Sequence, residues 1–381
     1  WLAPGQWCTL HSTRFELPEP CASRGTAMLL LDVPFLPDPQ YTEFLAEFQP
    51  ALHSVHFSLF LDTIPDGRHR SGTVPEFGDL AAGLARLPGP KKYGLLNSRF
   101  HHPRLYSDKA ALQKIIRALD TLLAADTLHG ITIVDFYLLQ ALSDTSPETC
   151  SQLEAVPGVN CMLDSFAKVQ ATLSAIAETG FKPPTKINLD RSLNRNLPEL
   201  ATISQQCRRH FPGVKLTLLA NEGCLDRCPF KLAHDAQIAF ANTGCIANET
   251  HAFNQKLGCI RELGAHPEKL FKSPCIRPED LEQYEGMVEV IKLCGRTLGP
   301  AFLQRVVRGY AERRYAGNLL DLMDTMEWLA KRLYVANAEL PADFLTRLSS
   351  CDKNCRACSY CRELLAKTAM PLAFQLEDLR Q

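Results

Sequence analysis

No stretch of eighteen apolar residues occurs, so the sequence offers no membrane-spanning helix. Charge of one sign is missing as well. The 41 Lys and Arg are matched by 42 Asp and Glu, for a formal net charge of −1, and no global basic field marks nucleic acid as the main partner. The opening residues lack a basic start followed by an apolar stretch, so the expectation is a cytoplasmic protein without a signal peptide. His-Glu-x-x-His and Gly-x-Ser-x-Gly are both absent, which removes two sequence marks of hydrolytic enzymes.

Cysteine, by contrast, is abundant: 15 in 381 residues. With 46% hydrophobic residues, a chain of this length buries its own core, as one large barrel with appendages or as two domains, and needs no disulfide staples. The tight cysteine spacings favour thiolate ligation in a reducing compartment.

Eight short apolar runs alternate with amphipathic stretches: 27–35, 55–62, 93–98, 131–138, 159–165, 186–191, 214–222 and 288–296. Near-continuous apolarity marks strands covered on both faces. Eight of them alternating with helices predict an α/β fold, a TIM-type (β/α)8 barrel. Residues 1–25 read as an irregular arm and 26–320 as the barrel. Within it, 230–287 are inserted before the last strand, and 321–381 form a helical C-terminal extension. Catalytic groups of such barrels sit just past the strand ends. These ends offer Asp32, Asp62, Asn97, Arg99, Asp164, Asp190, Arg191, Asn194, Asn221, Glu222, Lys292 and Arg296. Glu222, Lys292 and Arg296 are the expected catalytic groups. Asp190, Arg191, Asn194, Asn221 and His234 are expected to bind substrate.

Two cysteine groups stand out. Cys224 and Cys228 follow the seventh run, and their spacing brings both sulfurs to one side of a turn, with Pro229 suited to the first turn of a helix. They are expected to ligate a [4Fe-4S] cluster at the barrel mouth, with Cys259 and Cys275 as the other two ligands and Cys245 in reserve. Cys351, Cys355, Cys358 and Cys361 put four thiols into eleven residues, a spacing that surrounds one metal centre: a second [4Fe-4S] cluster, or zinc as the alternative. Cys294 reads as a buried packing residue, and Cys150, Cys161 and Cys207 as structural.

The segment Asn221-Glu222-Gly223-Cys224-x3-Cys228-Pro229-Phe230-x3-His234 resembles the signature of the collagenase-like peptidase U family. So do Ile276-Arg277-Pro278-Glu279-Asp280-Leu281-x2-Tyr284 and Ile291-Lys292-Leu293-Cys294-Gly295-Arg296. The resemblance covers roughly residues 27–320. It implies a TIM-type barrel and, as in several members, a [4Fe-4S] cluster in place of protease machinery. Those members include the oxygen-independent hydroxylase partners UbiU and UbiV and the tRNA uridine hydroxylation enzymes. The family ending Lys-x-Glu-Gly-Arg is here Lys-Leu-Cys294-Gly-Arg, and the C-terminal cysteines lie outside the shared barrel.

Several functions remain in view. The first is an iron–sulfur redox enzyme, an oxygen-independent hydroxylase in type, acting on a small or nucleotide-linked substrate with an external electron donor. The others are a non-catalytic iron–sulfur or electron-transfer partner subunit, a peptidase, and a radical S-adenosylmethionine enzyme. Against the last stands the position of its Cys-x3-Cys-x2-Cys spacing, at the far end of the chain. A protein partner or a homo-oligomer is compatible with each.

Overall fold

The computed structural model describes residues 28–61, 67–68, 76–244, 246–247 and 249–372. The expected arm 1–25, with Cys8 and Cys21, lies outside them, as do Asp62 and Cys245.

Eight parallel strands form one sheet: β1 Leu30–Pro34, β2 Leu52–Ser58, β3 Lys91–Leu96, β4 Gly130–Ile133, β5 Glu154–Pro157, β6 Lys186–Asn188, β7 Lys215–Leu219 and β8 Val290–Lys292. Their order is β5-β4-β3-β2-β1-β8-β7-β6, so the two chain ends of the sheet meet between β1 and β8. At the other seam Lys182, just before β6, donates its N–H to Leu153 and accepts from Ala155. The ring is thereby nearly closed, as in a TIM-like barrel. Helices run between successive strands, and their apolar faces cover it. The helix Lys109–Ala124 buries Leu112, Ile115, Ile116, Leu119 and Leu122 at helical spacing.

Seven expected strands coincide with observed ones at least in part. The expected strand at 159–165 is a correction: β5 lies earlier, at Glu154–Pro157, and Val159–Cys161 is a single 3-10 turn. Met162 there has φ +55°, a left-handed conformation that no strand accommodates. Glu154 disguises β5, because a carboxylate breaks the apolar pattern. Its buried side chain is nevertheless satisfied by Lys91 Nζ at 2.6 Å, Tyr93 Oη at 3.1 Å and the Thr185 N–H at 3.0 Å.

A second apolar core stands apart from that of the barrel. It joins Leu263, Leu270, Phe271 and Cys275 of the β7–β8 connection to Leu319, Met323, Met326, Leu329, Phe344, Leu348 and Leu364 downstream. The connection between β7 and β8 and the C-terminal region therefore pack on each other. Gly223 permits the closest approach: a Cβ there would meet Met326 Cγ at 2.4 Å and the Asp324 carbonyl at 2.9 Å. Its N–H donates to that same carbonyl at 3.0 Å.

Candidate active site at the barrel mouth

The inward face of the barrel carries a knot of charge where a TIM-like core is ordinarily apolar. Asp32 of β1 accepts from Lys186 Nζ of β6 and Lys292 Nζ of β8, both at 2.8 Å. Its other oxygen is 3.0 Å from His56 Nδ1 of β2, which in turn lies 2.9 Å from Lys292 Nζ. Ser54 takes a further hydrogen bond from Lys186 at 2.7 Å. Burial pushes the Asp32 carboxyl up, but Lys186, Lys292 and His56 outweigh it and hold the group well below the usual range. Burial, offset in part by Asp32, brings Lys186 down to about 8 and also lowers Lys292. Burial and Lys292 depress His56 to about 3, so its ring is neutral.

This knot forms the floor of a cavity of about 410 Å3 at the C-terminal ends of the strands, with His56 and Lys292 facing it. Above them β7 runs into Asn221 and Glu222. Glu222 pairs with Arg191, which follows β6, and stands 3.8 Å from Arg68, contributed by the β2–β3 connection. Arg68 also pairs with Asp324, whose backbone bridges to Glu222. Burial raises the Glu222 carboxyl, and Arg191, Lys231 and Arg68 more than reverse this, so it is ionised. Five cations (Arg68, Arg191, Lys231, Lys292 and Arg296) and three carboxylates (Glu222, Asp235 and Glu327) are among the described lining residues. Asp32 and Asp324 stand directly behind Lys292 and Arg68, so the mouth is densely charged and close to balanced.

Three of the thiols that line the same cavity are those of Cys224, Cys228 and Cys259. Gly258 ends the helix Thr250–Leu257, and Cys259 opens the next helix, Cys259–Ala265, with its sulfur 3.7 Å from Asn254 Oδ1. Burial pushes all three thiols up. His234, four residues into the helix Lys231–Asn242, and Thr325, Met326 and Trp328 complete the wall. Burial and Lys231 lower His234.

Of the expected site residues, the cavity therefore gathers Arg191, Glu222, His234, Lys292, Arg296, Cys224, Cys228 and Cys259. Asp190, Asn194, Asn221 and Cys275 do not line it. Asp190 caps the 3-10 helix Arg191–Arg195, accepting from the Ser192 N–H at 2.8 Å, and borders an adjoining cavity that Cys224 and Cys228 share. Asn194 donates to the Leu219 and Pro274 carbonyls at 2.8 and 2.7 Å. Asn221 donates to the Cys294 and Leu322 carbonyls, both at 3.0 Å, and accepts from the Cys294 N–H at 2.7 Å. Both NH2 groups are thus committed to backbone, while Asn194 Oδ1 has no hydrogen-bond partner among the described residues. Cys275 lies 4% exposed in the second core. Cys294 is buried as expected, yet it also reaches the cavity. Among the described residues, no three His, Cys, Asp or Glu side chains are arranged to hold a metal ion.

Sequence reasoning did not assign His56, Arg68 or Lys186 to a site. His56 and Lys186 left one signal, an ionisable side chain inside an otherwise apolar strand. Arg68 left none, since it reaches the mouth from a long connection.

No family model matches the chain. Over 182 residues it is 35% identical to a Methanocaldococcus jannaschii protein named as an uncharacterized protease. That stretch is 48% of this chain and 52% of the other, so the chain spans about half the length of the curated relative it matches. No helix among the described residues is long and apolar enough to cross a membrane. The chain is thus similar, along about half of its length, to a protein named for proteolysis, and it carries a TIM-like barrel with a charged, thiol-lined mouth.

Proposed function

We propose that this is an iron–sulfur barrel enzyme of a reducing compartment, modifying a small or nucleotide-linked substrate without oxygen, in the manner of the UbiU- and UbiV-like members of the peptidase U group. The observation that carries the proposal is the convergence of Cys224, Cys228 and Cys259 on the cavity that holds Glu222, Lys292 and Arg296. Three soft donors suit an iron–sulfur cluster better than a hard cation. A cluster bound there would supply an electron relay or, at an iron open to substrate, a Lewis acid.

The chain's own residues do the rest. Arg191, Arg296 and Arg68 bind and orient the substrate through its polar groups. Glu222 keeps Arg191 and Arg68 in place, since both face its carboxylate. Lys292 holds a proton at Nζ on the cavity floor, and Lys186 supports it through their shared Asp32 oxygen. Residues 325–328, fixed through Met326 and Trp328 to the second core, wall the site on one side.

The relative's name favours a second reading, a peptidase. Such an enzyme needs a thiolate with a histidine base. Among the described residues no histidine is hydrogen-bonded to a cysteine.

Anaerobic purification followed by optical and electron paramagnetic resonance spectra, alongside a peptide-cleavage assay on the same sample, separates the two. The proposal requires a cluster signal that Cys224→Ala abolishes. Peptide cleavage by a sample free of iron would refute it.

A further inference from the structure

The four cysteines near the C-terminus belong to neither the barrel mouth nor its chemistry. Cys351 directly follows the helix Phe344–Ser349 and its cap, and Cys361 lies in the first turn of the helix Tyr360–Thr368. Leu348 of the first helix and Leu364 of the second are both buried in the second core. The intervening loop is therefore pinned at both ends, and its thiols are confined to one place. All four border a single cavity of about 520 Å3. The far wall of that cavity comes from the β7–β8 connection, as the 3-10 helix Pro267–Lys272.

Two observations point to a ligand there. First, four soft donors face one space, with Cys355 and Cys358 exposed and none of the four in a disulfide. Second, Lys272 Nζ of the opposite wall stands 3.2 Å from Cys355 Sγ, and Lys269, Arg347 and Arg362 line the same space with the carboxylates Glu268 and Asp352. A centre held by four thiolates carries net negative charge, which such a rim offsets. The backbone N–H of Lys353 also donates to Cys351 Sγ at 3.4 Å, the type of bond that tunes thiolate ligands.

We propose that Cys351, Cys355, Cys358 and Cys361 form a four-thiolate centre for one soft metal group, a zinc ion or an iron–sulfur cluster, with Lys272 as its charge-balancing neighbour. The sulfurs border one cavity without converging on a point. Convergence requires only movement of the 351–359 loop, which contains no helix or strand to break. The centre ties the tail to the β7–β8 connection, the same connection that carries Cys224, Cys228 and Cys259 to the barrel mouth. It is a structural clasp, distinct from the reaction chamber, and does not depend on the function proposed for that chamber.

The test uses the full chain, purified anaerobically, with Cys224→Ala and Cys228→Ala combined to remove the barrel thiols as a metal source. Metal analysis should then find one zinc, or a set of iron and sulfide, per chain. X-ray absorption at that metal's edge should report sulfur ligation alone. Adding Cys355→Ser and Cys358→Ser should lower the metal content at least tenfold. If that variant does not fold, Lys272→Ala provides the second measurement, with metal affinity weakened about tenfold. Chains that purify without metal and take up none when offered zinc or iron with sulfide would overturn the proposal. So would metal retained after loss of Cys355 and Cys358, or metal with nitrogen or oxygen ligands.

Discussion

Lys292 and Asp32 are register partners across the β1–β8 seam, and their side chains form an ion pair of 2.8 Å with Asp32 wholly buried. The pair closes the barrel at the point where its two chain ends meet. It also sets the floor of the cavity, because Lys292 continues upward into it.

Replacing Asp32 with Asn removes, among the described residues, the carboxylate ion-paired with both Lys186 and Lys292 and leaves the two ammonium groups buried without that anion. Breaking a buried pair in this way costs about 3–5 kcal/mol. Urea unfolding of Asp32→Asn should show that loss at an unchanged m-value. A variant within about 0.5 kcal/mol of the parent would show that the knot contributes nothing.

Lys292→Met, which leaves Asp32 paired with Lys186, should lower turnover by about 100-fold and cost less stability than Asp32→Asn, as expected of a lost proton donor. Lys186→Met should act more weakly and mainly shift the pH profile, because Lys186, brought down to about 8 by burial, reaches the cavity only through Asp32. Equal losses in the two variants would contradict the division of roles.

Glu222 is one of several buried carboxylates, Asp32 and Asp235 among them, that set the response to acid. Its folded pKa is depressed, so the stability it contributes is present above its unfolded value of about 4.3 and is lost as pH falls through the folded value. Glu222→Gln, which strips Arg191 of its partner, should cost about 3 kcal/mol at pH 7. The gap to the parent should narrow below about pH 4. A gap that widens toward acid would reverse the sign of the argument.

Gly295 follows β8 with φ +114°, and a Cβ there would meet Phe302 Cε1 at 2.2 Å. Gly295→Ala therefore combines backbone strain with a clash. Unfolding free energy should fall by about 2 kcal/mol or more, and Arg296, the next residue, should lose its place in the cavity. Parent-like stability and substrate affinity would refute this.

The barrel is legible in the sequence because both faces of each strand are covered, which leaves apolar runs that stand out from their flanks. β5 escapes that logic, because Glu154 buys its place inside through three partners on two other segments, Lys91 and Tyr93 of β3 and Thr185 just before β6. Similarly, Cys224, Cys228, Glu222 and Lys292 announce themselves by position after a strand. Asn194 and Asn221 share that position, yet their amides are spent on carbonyls from distant segments, a use that no local pattern reveals. Arg68 comes from a connection far from β7 in sequence, and only the fold brings it to Asp324. Cys275 has the spacing of a ligand but the surroundings of a core residue, because the C-terminal region packs over it.

The most direct measurement of the central claim is iron and sulfide per chain, counted anaerobically in the parent and in Cys224→Ala, Cys228→Ala, Cys259→Ala and Cys275→Ala. The account predicts that each of the first three substitutions removes one cluster's worth of iron and sulfide, whereas Cys275→Ala, whose sulfur is held in the second core, retains it. Full iron and sulfide in both Cys224→Ala and Cys228→Ala, or none in the parent under reconstitution, would contradict it.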